Sequence, residues 1–178
     1  MIKTLPIAIA AGYAFCAPLT APAEPAASAG TYLPAQRQAV LWKYVLQKPA
    51  DGWFQPGFDD AGWKEAPAGF GSPGVPGGEV RTEWTTQEIW LRRSFELPAG
   101  GIEAPMVRMH HDEDAEVYVD GVLATQVSGF VNDYESVRIK TKARETLKPG
   151  KHVLAVHCKQ TKGGQFIDVG LVDVQASN

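Results

Sequence analysis

Apolar and polar residues alternate with a period of two over much of the chain. From residue 115 to 120, Ala115, Val117 and Val119 fall on one side while Glu116, Tyr118 and Asp120 fall on the other, the repeat of a strand with one buried face. Asp120-Gly121 follows, a pair suited to the positive φ angles of a tight hairpin, and Val122-Leu123-Ala124-Thr125 begins the return strand. Comparable runs predict strands over 40–47, 89–97, 106–110, 115–120, 122–127, 137–140, 152–160 and 166–174, bounded by Gly, Pro and Asp clusters. Residues 141–147 predict one helical turn before Pro149-Gly150. Short strands with so little helix predict an all-β, two-sheet sandwich with long end loops.

The N-terminus breaks this pattern. Lys3 precedes the apolar run Leu5-Pro6-Ile7-Ala8-Ile9-Ala10-Ala11, which continues through Phe15 and Leu19 to Ala21-Pro22-Ala23, an A-x-A cleavage pattern. Roughly fifteen apolar residues suit a signal peptide better than a membrane span of about twenty. Residues 1–23 are therefore expected to be removed on export, giving a secreted or periplasmic protein with no membrane span. Cys16 invites lipidation, but Phe15 stands where that motif wants a small residue. Residues 24–39 are Ala/Pro/Ser-rich and read as a tether, and 40–178 as one sandwich domain long enough to bury a core.

Loss of residues 1–23 removes Lys3 and no acid, leaving 16 of the 17 basic residues against 20 acidic ones, a net charge of −4. Mild acidity gives no electrostatic footprint for nucleic acid. Cys158 is then the sole cysteine, so no intramolecular disulfide is expected. Its phase with Leu154 and Val156 predicts a small core residue rather than a nucleophile.

Five segments together resemble a known domain: Trp42-Lys43-Tyr44, the turn Gly57-Phe58-Asp59-Asp60-Ala61-Gly62-Trp63, Ile89-Trp90-Leu91-Arg92-Arg93-Ser94-Phe95, the 115–121 hairpin, and Leu147-Lys148-Pro149-Gly150-Lys151-His152-Val153-Leu154-Ala155-Val156-His157. Their order and spacing, from about residue 40 to 174, look like the galactose-binding-like jelly-roll domain that accompanies family 2 glycoside hydrolases and other secreted carbohydrate-active proteins. The resemblance implies a jelly-roll β-sandwich, a poly- or oligosaccharide partner and an associated glycoside hydrolase. It also implies a structural Ca²⁺, with an acid of the final strand, here Asp168, among its ligands.

Function in a sandwich belongs to the end loops, because the strands are occupied by packing. The connection 51–86 holds Trp53, Phe54, Phe58, Trp63, Phe70 and Trp84 among many glycines and prolines. Aromatic faces stack on the C–H faces of a pyranose while carboxylates and amides bind its hydroxyls; alternatively, such rings cover a sheet as a satellite core. Trp42, Trp63 and Trp90 occupy motif positions and read as packing, whereas Trp84, flanked by Arg81, Glu83, Thr85 and Thr86, is the candidate platform. In His110-His111-Asp112-Glu113-Asp114 neighbouring residues alternate faces, which argues against a transition-metal centre. The loop offers His111, Asp112 and Glu113 to a polyol or to Ca²⁺; alternatively, Asp112 or Asp114 bonds loop amides and shapes the start of the strand. Asp168 lies between apolar neighbours and needs a cation or several N–H donors.

The expected binding surface is Trp84, His111, Asp112, Glu113, Asp133, Tyr134 and Gln165, provided their loops meet at one end. Three functions fit these residues. A non-catalytic carbohydrate-binding module is the reading adopted, with no catalytic residue assigned. A glycosidase drawing an acid and base from a pair among Asp112, Glu113, Asp59, Asp60 and Asp133 is the second; the resemblance opposes it, implying catalysis in a separate barrel of about 250 residues, for which this chain has no room. A protein-interaction or assembly module using the same loops is the third.

Overall fold

The computed structural model describes residues 31–33, 36 and 39–174. The twelve strands are β1 (Thr31–Leu33), β2 (Leu41–Val45), β3 (Lys64–Pro67), β4 (Phe70–Gly71), β5 (Thr82–Glu83), β6 (Glu88–Leu97), β7 (Pro105–Asp112), β8 (Asp114–Val119), β9 (Val122–Val127), β10 (Glu135–Arg138), β11 (Gly150–Lys159) and β12 (Phe166–Asp173), with one short helix, α1 (Thr141–Arg144). They form two sheets. One runs β10-β7-β12-β4-β5, with β1 also on β12; the other runs β3-β2-β6-β11-β8-β9. All pairings are antiparallel except β4 with β5. The expected all-β sandwich is the observed architecture.

The period-two pattern explains the core. Ile89, Leu91, Phe95 and Leu97 of β6, Val117 and Val119 of β8, and Leu154, Val156 and Cys158 of β11 pack in one cluster with Val107 and Met109 of β7 and Ile167, Val169 and Leu171 of β12. Each large apolar side chain so buried contributes roughly 1.5–3 kcal/mol. Cys158 is fully buried, and desolvation pushes its thiol well above the ordinary range, as a core residue requires. The predicted hairpin also forms: Asp120 and Gly121 have φ of 47° and 83°, and Asp120 ties the turn to β11 through Val153 N–H at 2.9 Å and His152 Nδ1 at 2.6 Å.

Two features depart from the sequence reading. Strand β1 lies inside the segment read as a tether, and the Gln36 backbone N–H donates to Asp168 at 2.9 Å, so the folded part starts before residue 40. Strands β3, β4 and β5 have two to four residues each, too short for periodicity to register. Residues 1–23 and the cleavage pattern lie outside the described residues. Among the described residues no helix is long and apolar enough to cross a membrane.

The aromatic loop resolves into cover. Trp53 and Trp90 are buried with Ala155, and Phe54, Phe58, Trp63 and Tyr118 pack around them as a cluster separate from the main core. Trp63 is half-buried, its ring edge-on to Phe58 at 5.9 Å. Beneath the loop Arg92, 2 % exposed, donates from Nε to Asp60 at 2.8 Å and from Nη1 to the Trp53 and Gln55 carbonyls.

Candidate functional site

One end of the sandwich collects the end of β7, the starts of β8 and β12, and the segments 72–76 and 128–134. The last pairing of β7 sets their arrangement. The Val131 N–H donates to the His111 carbonyl at 3.1 Å, His110 Nε2 donates back to the Val131 carbonyl at 3.0 Å, and Asp112 bridges to Phe130. Asp114 accepts the Gly129 N–H at 3.0 Å, the loop-shaping role anticipated for Asp112 or Asp114. From the other side Gly77, at φ 68°, brings its backbone so close to the Asn132 carbonyl that an added Cβ would lie 2.2 Å away; only glycine fits that contact.

These segments enclose a cleft of about 520 Å³. Asp112, Glu113, Asn132 and Lys162 supply polar groups, Pro73 and Val75 supply apolar wall, and Phe130 also lines it. Phe130 is 63 % exposed, one of three large apolar side chains left exposed among the described residues, with Leu41 and Val174. The Asp112 carboxyl is raised above its ordinary range, first by burial and then by the neighbouring Glu113 charge, against the opposing pull of His110 and His111.

The expected surface divides. Asp112 and Glu113 line the cleft, Glu113 being buried, and Asp133 is exposed beside Asn132. The other four residues face inward, and each has a structural occupation. Trp84 is 1 % exposed, belongs to the main core and donates from Nε1 to Thr86 at 3.0 Å; the expectation of a stacking platform there is corrected, because its ring has no free face. Gln165 is buried and donates its amide to the Trp84 and Thr86 carbonyls at 2.6 and 3.2 Å. His111 is buried with Nδ1 between the Glu113 and Gly129 carbonyls at 2.7 and 3.0 Å. Carbonyls only accept, so Nδ1 carries the proton and the ring is a strut under the loop. Tyr134 is buried, with its hydroxyl donating to Asp168 at 2.5 Å.

Asp168 does not suit the expected Ca²⁺. Its Oδ2 takes the Tyr134 hydroxyl and the Gln36 N–H, and the Arg81 guanidinium lies 3.9 Å away. Among the described residues no group of three or more His, Cys, Asp or Glu converges to hold a metal ion. A cation-binding site needs several oxygen ligands and excess negative charge, whereas this carboxylate already faces a guanidinium. Burial nonetheless raises its carboxyl, with the Tyr134 and Gln36 bonds and the Arg81 charge acting the other way.

Phe130, Asn132 and Lys162 escaped the sequence reading. The available signal was Ser128-Gly129-Phe130-Val131-Asn132-Asp133, an aromatic residue within turn-forming neighbours.

No protein-family model matches the sequence, and no curated protein matches it. Solved structures do. Bacteroides uniformis beta-glucuronidase 2, covalently bound to cyclophellitol-6-carboxylate aziridine, aligns with a TM-score of 0.55 at 20% identity, over 77% of this chain and 18% of that one. A glycosyl hydrolase family 2 member from Bacteroides cellulosilyticus DSM 14838 aligns with a TM-score of 0.52 at 15% identity, over 74% and 20%. A beta-glucuronidase from glycoside hydrolase family 2 gives 0.50 at 19%, over 82% and 18%. At these identities the likeness is one of fold. The chain spans about a fifth of the length of these structures.

Proposed function

We propose that the chain is a non-catalytic carbohydrate-binding module of the galactose-binding-like jelly-roll type, exported and working beside a glycoside hydrolase, that holds poly- or oligosaccharide in the Phe130 cleft. The observation that carries this reading is the exposed Phe130 ring in one cleft with Asp112, Glu113, Asn132 and Lys162. An aromatic face meets the C–H face of a sugar while carboxylates, amides and ammonium groups meet its hydroxyls. The fold likeness to chains of which this one covers only about a fifth supports a module that accompanies catalysis rather than performs it.

So open a site binds modestly, on the order of micromolar to millimolar, about −8 to −4 kcal/mol. A glycan array of the mature domain identifies the sugar, and calorimetry on Phe130→Ala tests the site. The expected loss is roughly 1–3 kcal/mol of binding with an unchanged melting temperature. Wild-type affinity in that variant would move the site away from this cleft.

A hydrolytic reading has one observation in its favour, the raised Asp112 carboxyl beside Glu113. An acid and base must flank the scissile bond, however, and these two leave the same turn. Release of reducing sugar by the wild type, lost in Asp112→Asn, would establish hydrolysis over binding.

A further inference from the structure

The Phe130 cleft carries an imbalance of charge. Asp112 and Glu113 are both on its wall, Asp133 is exposed next to Asn132, and Lys162 is the one cation among its lining residues. Glu113 sets the problem. It is 8 % exposed, yet among the described residues its carboxylate takes no hydrogen bond and forms no ion pair. Its oxygens are not sealed off, as Asp168 Oδ1 is. A charge held out of water needs a partner, so that partner has to reach Glu113 through the cleft. Asp112 likewise has no hydrogen bond or ion pair. Burial and the Glu113 charge raise its carboxyl, prevailing over the pull of His110 and His111. Lys162 leaves the neighbouring loop and stays beyond ion-pair distance of both acids.

We propose that the saccharide held in this cleft is an amino sugar, with its protonated amine on the Glu113 carboxylate, Asp112 beside it, and a C–H face of its ring on Phe130. This rests on the saccharide reading above and names its ligand class. A pyranose with an amine in place of one hydroxyl carries its charge at the rim of a flat apolar face, which matches a carboxylate and an aromatic ring in one cleft. The volume of about 520 Å³ falls within the roughly 300–1,000 Å³ of small-molecule sites, and Asn132 offers an amide to the remaining hydroxyls. A metal ion fits less well. Ca²⁺ takes about six to eight oxygen ligands, and among the described residues no three acids or histidines converge on one point. A lysine-rich peptide brings the same ammonium without the flat C–H face that Phe130 would cover. Lys162 is exposed, so keeping it away from the two acids costs little.

Isothermal calorimetry on the mature protein tests this near pH 6, above the ordinary carboxylate range and below that of an amine. The probes are the glucosamine trimer of chitosan, its N-acetylated form, cellotriose and trilysine. The glucosamine trimer should bind at least about tenfold more tightly than the acetylated trimer or cellotriose, since each of those leaves the buried carboxylate unpaired. Glu113→Gln keeps the shape and removes the charge, and should cut that preference to about twofold or less. Lys162→Gln removes a competing cation and should tighten binding of the glucosamine trimer by about two- to fivefold. Equal binding of the three trimers, tighter binding of trilysine, no binding of the glucosamine trimer, or an unchanged preference in Glu113→Gln each overturns the proposal. Should Glu113→Gln fail to fold, unchanged or weakened binding in Lys162→Gln overturns it instead. Equal binding of the trimers that is lost in Phe130→Ala would overturn the ammonium site while leaving the saccharide reading intact; an array on which no glycan binds would remove both.

Discussion

Two of the buried charges among the described residues, Arg92 under the aromatic loop and Asp168 behind the Phe130 cleft, solve the same problem with different completeness. Taking a charge out of water costs several kcal/mol unless each polar atom is met inside. Arg92 meets Asp60 and two carbonyls, with the Phe58 ring 5.4 Å from its guanidinium carbon. Burial acts to raise the Asp60 carboxyl, but the Lys43 and Arg92 bonds prevail and hold it below its ordinary range. Asp168 has one well-bonded oxygen, while Oδ1 has no hydrogen bond, and its carboxyl is raised. The neighbouring His110 Nδ1 is also buried without a hydrogen bond, and His110 and Asp168 stand opposite each other in the β7–β12 register. The lesson is one of rigidity. The aromatic loop is locked by a satisfied cation, whereas the cleft rests on a half-satisfied anion, and ligand-binding regions are drawn from the less stable parts of a fold.

The sharpest way to break this comparison is Arg92→Leu. It strands Asp60 with Lys43 alone and leaves two carbonyls unmet, so urea denaturation should show a loss of about 3–5 kcal/mol; a loss under about 1 kcal/mol would make the two charges equivalent. Next is Gly77→Ala, which forces a Cβ against the Asn132 carbonyl at positive φ and should cost roughly 1–3 kcal/mol while displacing the 128–134 segment from the cleft. Chemical shifts of residues 128–134 that match wild type would remove that contact from the account.

Asp168→Asn should change stability at neutral pH by no more than about 1 kcal/mol, since it removes a poorly solvated charge while keeping an acceptor for Tyr134 and Gln36. The pH dependence fixes the sign. A carboxyl raised in the folded state binds its proton more tightly there, so wild-type stability from this group grows as pH falls through the folded pKa toward 3.8, the ordinary aspartate value. The advantage of wild type over Asp168→Asn should therefore increase on acidification. Asp60 runs the other way: its contribution is full above 3.8 and is lost as pH falls through its lowered folded pKa. Melting curves of wild type, Asp168→Asn and Asp60→Asn from pH 7 to 3 separate the two. The smallest effect concerns calcium, for which excess ion and chelator should give the same melting temperature, because mass action stabilises only a state that binds. A rise with calcium would restore a metal site to this end of the molecule.

The strands were legible because alternation is a local property of the backbone. Residues 115–127 show the hairpin, its inward set Val117 and Val119, and its turn at Asp120-Gly121 without help from elsewhere in the chain. Cys158 could be assigned to the core by the same phase. The cleft was only partly legible. Asp112 and Glu113 stood out as an acidic loop opening a strand, but nothing local separates Trp84, Tyr134 and Gln165, which face in, from Phe130, which faces out.

That choice belongs to contacts between distant segments. Gln165 reaches the Trp84 carbonyl across 81 positions of sequence, and Tyr134 reaches Asp168 across 34. Each long-range bond satisfies a buried polar group that would otherwise be costly, and in doing so it fixes which side of a loop is left for solvent. The sequence by itself determined the all-β class, the positions of the longer strands and the hairpin, since φ preferences and period-two patterning act within a few residues. Only the tertiary structure decided that Phe130, rather than Trp84, presents its ring, because exposure depends on how the end of β7 pins residues 128–134.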